Sequence, residues 1–370
     1  MSIELLADAD PCRKDLWHDD AAGARRAMTQ WWAGKGLAVA IIAPKEVRSA
    51  EFPHPGPPPD LQTQWLDPVW RAKSQLHNIA NTYWGGAALP QFNSLIGPGS
   101  LGLFLGGIGR LAPDTIWYEG NIDDPETSPP LAIKYDGDWW TRHVAILREA
   151  KRHAKGRYIV PFPDLIENID TLAQLRDPQT LLMDLIERPE WVSEKVSEIN
   201  AAFFAAYDEL LEQCDLLDEW GGTSYCFSLW GKGKTVKVQC DFSCMISPSM
   251  YRQFVVPALT EQCAWLDNSM YHLDGEQAIP QLDNILAIEP LKAVEWTPAA
   301  GRPGGGSPIW YDLYRRIKQG GKSVQAIGVG ISEVEPLIDA VGPEGLMIIT
   351  YASSEADARA LLERLPPIGG

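Results

Sequence analysis

The sequence predicts a single (β/α)8 barrel formed by residues 37–370, preceded by an N-terminal helical extension over residues 1–36. Two observations favour this fold. Strand and helix patterns alternate regularly from about residue 191 onward, and the predicted strands number close to eight. Such βα units require a parallel sheet with right-handed crossovers. No GxGxxG motif follows the first predicted strand, which disfavours an open doubly wound sheet with a dinucleotide site.

The N-terminal half contains three predicted strands. Residues 37–43 form a near-continuous apolar run, which is typical of a strand buried on both faces. Residues 115–119 and 157–160 are shorter candidates. Residues 191–213 then show helical spacing of apolar side chains, with Pro189 just before the first turn. This helix opens the regular part of the pattern.

In the C-terminal half each predicted strand leads into a helix. Residues 221–230 are predicted to form a strand and its exit loop. Ser247 and Pro248 begin the next helix as N-cap and first helical residue, and this helix extends to about Leu266. The remaining predicted elements are strand 269–273, helix 277–287, strand 291–296, helix 308–319, strand 323–329, helix 331–340, strand 346–351 and helix 354–365.

Composition narrows the class of protein. A net charge of −17 and a pI of about 4.8 leave no basic surface in bulk, so we expect no nucleic-acid partner. No apolar run approaches the length of a membrane span, and the first residues lack the pattern of a signal peptide. The six cysteines contain no CxxC pair. We therefore expect a cytoplasmic protein with reduced thiols and no membrane partner.

Candidate catalytic residues collect at the carboxyl ends of the predicted strands, where (β/α)8 enzymes carry their chemistry. His272 and Asp274 lie two residues apart on one strand and so point the same way. Glu295 ends the next strand, and a charged residue there must be paired, solvated or functional. Asp241 precedes the Ser247 helix on the same face. The less specific alternative is a His272–Asp274 pair that only fixes a loop.

Five further residues are candidates for substrate binding at the same end of the barrel. Asp164 and Glu167 follow the strand at 157–160, and their carboxylates could orient a polar ligand. Trp230, Trp296 and Tyr351 each end a predicted strand and could form aromatic walls. Alternatively, Asp164 could cap a helix and the two tryptophans could belong to the core.

Several ordered segments resemble the uroporphyrinogen decarboxylase superfamily, which includes corrinoid-dependent methyltransferases. The resemblance extends over residues 160–365 and is carried by segments 169–176, 181–196, 246–257, 272–275 and 326–330. It implies a single (β/α)8 barrel with a small-molecule site in its mouth, and family members are often homodimers. The arginine-rich motif with which the decarboxylases bind carboxylates is missing, so a tetrapyrrole substrate is not expected.

The methyltransferase members hold zinc through a His-x-Cys pair and a cysteine that ends the last strand. The matching positions here are His272 and Asp274, and the last strand ends at Tyr351 without a cysteine. A carboxylate is a harder ligand than a thiolate. Two alternatives stay open: a divalent metal such as zinc at His272 and Asp274, or metal-free chemistry in which Asp274 orients His272 as a general acid or base.

The first functional hypothesis is an enzyme that demethylates a small methylated compound and passes the methyl group to a corrinoid protein or a similar acceptor. The second is a decarboxylase or related lyase that uses Asp241 or Asp274. The third is a barrel that binds a ligand without chemistry, because the thiolate ligands and the arginine motif of the family are both missing.

Overall fold

The computed structural model describes residues 16–366, so residues 1–15 of the predicted N-terminal extension lie outside the described range. Within it the strands are β1 (Leu37–Pro44), β2 (Thr82–Gly86), β3 (Ile108–Leu111), β4 (Ile116–Glu119), β5 (Gly222–Tyr225), β6 (Leu229–Lys232), β7 (Thr235–Gln239), β8 (Asn268–Asp274), β9 (Ala293–Thr297), β10 (Ser323–Val329) and β11 (Leu346–Tyr351). The helices of the same range are α1 (Ala21–Trp32), α2 (Leu61–Leu66), α3 (Pro68–Ala80), α4 (Ser100–Phe104), α5 (Asp138–Ala154), α6 (Asn168–Arg176), α7 (Pro178–Glu187), α8 (Pro189–Cys214), α9 (Pro248–Phe254), α10 (Val256–Trp265), α11 (Leu282–Leu286), α12 (Tyr311–Gln319), α13 (Val334–Val341) and α14 (Glu355–Arg364). None of these helices is long and apolar enough to cross a membrane.

The main sheet has seven strands in the order β2-β1-β11-β10-β9-β8-β7. All neighbours are parallel except β1 and β2, which are antiparallel. The prediction of a mixed α/β fold with a parallel sheet is therefore confirmed. The closed eight-stranded barrel is not, because no continuous ladder joins β2 to β7 anywhere in residues 16–366.

Irregular segments occupy the gap between the two ends of this sheet. Residues 157–160, predicted as a strand, contribute one isolated parallel bridge between Gln91 and Ile159. Phe162 N then donates to Ser224 O of β5 at 3.0 Å. The predicted strand at 115–119 is wrong as a barrel strand, since β4 pairs only with β3 in a separate hairpin.

The outer edge of β7 has side chains where a neighbouring strand would be. Thr235 N donates to Thr223 Oγ1 at 2.9 Å, and Gln239 N donates to Glu167 Oε1 at 2.7 Å. Beyond the strand, Asp241 N donates to Asp170 Oδ2 at 2.7 Å. These side chains satisfy backbone donors that would otherwise be buried without partners. The edge that carries the candidate site is thus fixed by side-chain acceptors.

Helix α1 covers the amino ends of the strands. Trp31 is fully buried, and its Nε1 donates to the carbonyl of Val324 at the start of β10 at 2.9 Å. Trp32 Nε1 donates to the carbonyl of Trp230 at 2.9 Å. These aromatic side chains cover the end of the sheet opposite the carboxyl ends.

Candidate active site at the carboxyl ends of the strands

Asp241, His272 and Asp274 come together at the carboxyl end of the sheet. Asp241 begins a short 3-10 helix directly after β7, and the other two residues end β8. One possible ligand atom from each lies within 4.8 Å of the other two. Both carboxylate residues are exposed and His272 is half-buried. The three side chains can therefore reach a common ligand or ion from solvent.

Glu295 lies behind His272 and fixes its ring. The two residues are register partners on β8 and β9, and His272 Nδ1 lies 2.5 Å from Glu295 Oε2. Glu295 is fully buried, and its other oxygen accepts from Thr297 Oγ1 at 2.8 Å. Burial alone would lower the pKa of His272. The charge and hydrogen bond of Glu295 outweigh burial, so this pKa is raised above 6.5.

Burial and a neighbouring carboxylate both disfavour the charged form of Asp241. Desolvation in the mouth, followed by the negative charge of Asp170, raises the pKa of Asp241 to about 6. Asp170 is buried, and its oxygens accept from the backbone N–H groups of Asp241 and Phe242 at 2.7 and 2.8 Å. Asp170 therefore sets the position of Asp241, which can hold or release a proton near neutral pH.

A group of buried polar side chains lies on and against β7. Lys237 is fully buried, forms an ion pair with Asp164 at 2.9 Å and donates to the side chain of Gln239. Glu167 is also fully buried and accepts from the backbone of Gln239. Asp164 and Glu167, predicted to bind substrate, thus both have partners inside the protein. Both contact β7, and Asp164 also accepts a hydrogen bond from Tyr225 of β5 at 3.4 Å.

Glu167 gives the fold a testable pH dependence. Burial raises its pKa from 4.5 to about 8, although the positive charge of Lys237 opposes this. The native state therefore keeps a proton that the unfolded chain releases above about pH 4.5, and the free energy of unfolding falls as pH rises toward 8. We expect Glu167→Gln to remove this decline. Within that window, the free energy of unfolding of the variant should rise relative to that of the wild type by roughly 1.4 kcal/mol per pH unit.

Urea unfolding at several pH values between 5 and 8 measures this effect. Glu190→Gln serves as the control, because Glu190 lies in the first turn of α8 and is exposed. A constant difference between Glu167→Gln and the wild type across this range would contradict the prediction.

Tyr351, predicted to bind substrate, is the last residue of β11. Its side chain is 65% exposed and lines two adjoining cavities of about 390 and 400 Å³. Phe227 lines the larger cavity and also packs on His272, with ring centroids 4.9 Å apart. One aromatic ring, that of Phe227, therefore lies between this ligand-sized cavity and the group of Asp241, His272 and Asp274, which we call the acidic group.

The two tryptophans predicted as walls of the mouth lie elsewhere. Trp230 is on β6, which turns back from β5, and its Nε1 donates to Asp218 Oδ2 at 2.8 Å on the side covered by α1. Trp296 is fully buried and packs against Trp310, with ring centroids 4.9 Å apart, between β9 and the helical layer. Their predicted place in the mouth was wrong, because one strand ends early and the other turns Trp296 toward the helices.

Four residues in or beside the site are not among the predicted site residues: Lys237, Gln239, Phe227 and Gln325. Gln239, Glu295 and Gln325 share one row with His272 across four parallel strands. A signal for two of them was present: Lys237 and Gln239 alternate with Val236 and Val238, which is the pattern of a strand with one polar face. For Phe227 and Gln325 the sequence offers no such signal.

The fold is shared with a known enzyme. No family model matches the sequence, and no curated protein matches it. Among solved structures, a methyltransferase from Methanosarcina mazei is similar to this chain with a TM-score of 0.61 at 10% sequence identity. The match covers 92% of this chain and 97% of that chain. At this identity the similarity establishes the fold, over almost the whole length of both proteins.

Proposed function

We propose that this protein is an enzyme that removes a methyl group from a small methylated compound at Asp241, His272 and Asp274 and passes it to a corrinoid protein or a similar nucleophilic acceptor. The observation that carries the proposal is the convergence of one imidazole and two carboxylates within 4.8 Å at the carboxyl ends of the strands. The fold shared with a methyltransferase supports the same reaction class.

The three side chains fit a divalent metal such as zinc. A histidine nitrogen and two carboxylate oxygens suit ions that accept nitrogen and oxygen ligands, and three protein ligands leave positions open for a substrate. Glu295 occupies Nδ1 of His272, which leaves Nε2 free for coordination. A carboxylate behind a ligating histidine is the usual outer partner in such sites. A bound ion would supply Lewis-acid polarisation of a substrate oxygen.

The chain's own residues supply orientation and protons. When a methyl group moves to a nucleophile, the electron pair of the broken carbon–oxygen bond stays on oxygen, which then takes up a proton. Asp241 can hold that proton where His272 and Asp274 alone bind the ion, because a ligating carboxylate is deprotonated; burial raises the pKa of Asp241 to about 6. Glu295 keeps the His272 ring in one orientation through the 2.5 Å contact. Asp170 holds the segment that carries Asp241 through two backbone hydrogen bonds.

A lyase reaction is the second candidate, and the raised pKa values of Asp241 and His272 favour it. An acid that is partly protonated near neutral pH, beside an imidazole stabilised as a cation, can protonate a carbanion left by decarboxylation. This reaction needs no methyl acceptor. The metal content of the protein separates the two candidates.

Elemental mass spectrometry and zinc titration calorimetry test the leading proposal. We expect near-stoichiometric divalent metal in the purified wild type and loss of that metal in His272→Ala and Asp274→Asn. His153→Ala and Asp312→Asn are the matched controls, because these residues form surface ion pairs away from the site. Failure of the wild type to bind zinc, manganese or any other divalent ion would contradict the metal-assisted transferase and favour the lyase.

A further inference from the structure

The cavity of about 400 Å³ beside the active site has a mixed aromatic and amide lining. It lies between α3, the segment 91–95 and the turn that joins β5 to β6. Four aromatic side chains contribute to its walls: Trp84, Phe92, Phe227 and Tyr351. This volume is within the range of cavities that enclose small organic ligands. We call this space the chamber.

Two side-chain amides line the chamber without a protein partner. Gln75 and Asn78 lie three residues apart on α3 and so on the same side of the helix. Within residues 16–366 neither side chain forms a hydrogen bond. Each amide carries both a donor and an acceptor. The chamber can therefore recognise hydroxyl or carbonyl groups on an otherwise apolar molecule.

No side chain that lines the chamber carries a charge, although 22% of the residues in the chain are charged. Burial raises the pKa of the Cys226 thiol, so this lining residue stays neutral as well. Charged side chains lie outside this lining: Arg48 lines the adjoining cavity, and the buried Arg71 donates to the carbonyls of the lining residues Asn93 and Leu95 from behind them. Moving an ion into the chamber would cost part of its hydration without a counter-charge among the side chains that line it. An uncharged ligand is therefore favoured.

Phe227 connects the chamber to the acidic group. It lines the chamber on one side, and its ring lies 4.9 Å from that of His272 on the other. Phe227 and Ser228 have φ values of 60° and 56°, which are unfavourable for residues other than glycine. Gln325 Nε2 holds this turn by donating to the carbonyl of Phe227 at 3.0 Å. A molecule in the chamber thus lies one ring away from His272.

We infer that the chamber binds an uncharged, flat organic molecule with hydroxyl or carbonyl groups, such as a methoxylated arene, beside the proposed active site. This inference rests on the proposed function for the reaction, whereas binding to the chamber can be measured separately. The aromatic walls would stack on the flat face, and Gln75 and Asn78 would bind its polar groups.

Isothermal titration calorimetry tests the inference with two probes, neutral 2-methoxyphenol and anionic 3-methoxybenzoate. We expect the neutral probe to bind at least tenfold more tightly than the anion. Gln75→Glu and Asn78→Asp each place a negative charge in the chamber and should weaken binding of the neutral probe about tenfold or more. Gln62→Glu is the matched control, because Gln62 is exposed on α2, and should leave binding unchanged. Thermal unfolding verifies that each variant is folded.

The outcomes separate this inference from the proposed function. Asp274→Asn should lose metal yet bind 2-methoxyphenol as the wild type does, since Asp274 does not line the chamber. Tight binding of the neutral probe by a protein that takes up no metal would support the chamber and contradict the metal-assisted transferase. Equal or tighter binding of the anion, no binding of the neutral probe, or unchanged affinity in both chamber variants would overturn the inference.

Discussion

Replacing Glu295 by glutamine is expected to lower the pKa of His272 and to weaken metal binding by about 10–100-fold. Glutamine has the size of glutamate and can still accept a hydrogen bond, but it lacks the negative charge. Burial then dominates the pKa of His272, because most of the opposing contribution came from Glu295 and only a smaller part comes from Asp241. The imidazole would become neutral at a lower pH and would be a less basic ligand.

NMR titration of the six histidines measures the first effect, and zinc calorimetry measures the second. A raised histidine pKa stabilises the native state below about pH 6.5, and this stabilisation is lost as pH rises through the native pKa. The stability lost in Glu295→Gln should therefore be largest at low pH. Glu149→Gln, which alters a surface pair with His153, is the control. An unchanged His272 titration in Glu295→Gln would refute the proposed role of the carboxylate.

Replacing Lys237 by methionine is expected to destabilise the protein by about 3–5 kcal/mol. Lys237 is fully buried and forms an ion pair with Asp164, itself buried, at 2.9 Å. Removing only the ammonium group leaves Asp164 without its counter-charge in a desolvated place. The neighbouring side chain of Gln239 also loses a donor. The energetic cost comes mainly from the remaining carboxylate.

Urea unfolding of single and double variants isolates this cost. The double variant Lys237→Met with Asp164→Leu removes both charges and should recover most of the lost stability. Lys151→Met is the control, since its ion pair with Asp215 is solvent-exposed and should contribute no more than about 1 kcal/mol. A double variant as unstable as the single one would show that packing, and not the unpaired charge, causes the loss.

The regular half of the fold is predictable from the sequence because its strands are apolar runs with clear boundaries. The predicted strands at 323–329 and 346–351 match the observed residues, and that at 269–273 lies within β8. The helix predicted over 191–213 is α8, Pro189–Cys214. Local patterning is sufficient here, since each strand is buried and each helix covers one side of it.

The segment around residues 221–239 could not be predicted in the same way. A single strand and its exit loop were expected over residues 221–230, whereas the chain forms a tight hairpin of β5 and β6 and then β7. The turn falls at Phe227 and Ser228, which adopt left-handed φ values without a glycine or asparagine to indicate it. Tertiary contacts fix this turn, including the hydrogen bond from Gln325, which is distant in sequence. The position expected for Trp230 was wrong for the same reason.

The candidate site was predictable where its residues are close in the chain. His272 and Asp274 follow from the alternation of one strand, and their proximity to Asp241 and Glu295 followed from the shared end of the sheet. The partners of these residues were not predictable. Asp170 reaches Asp241 across 71 residues, a contact that no local pattern indicates.

The side-chain acceptors along the edge of β7 also bear on self-association. A free edge of a sheet offers unpaired N–H groups to the strands of other molecules and is a common starting point for aggregation. Here Thr223, Glu167 and Asp170 already occupy three donors along that edge. A second molecule would have to displace buried acceptors before it could add a strand. Asp170, which fixes the position of Asp241, thus also leaves this edge with one fewer free donor for a strand of another molecule.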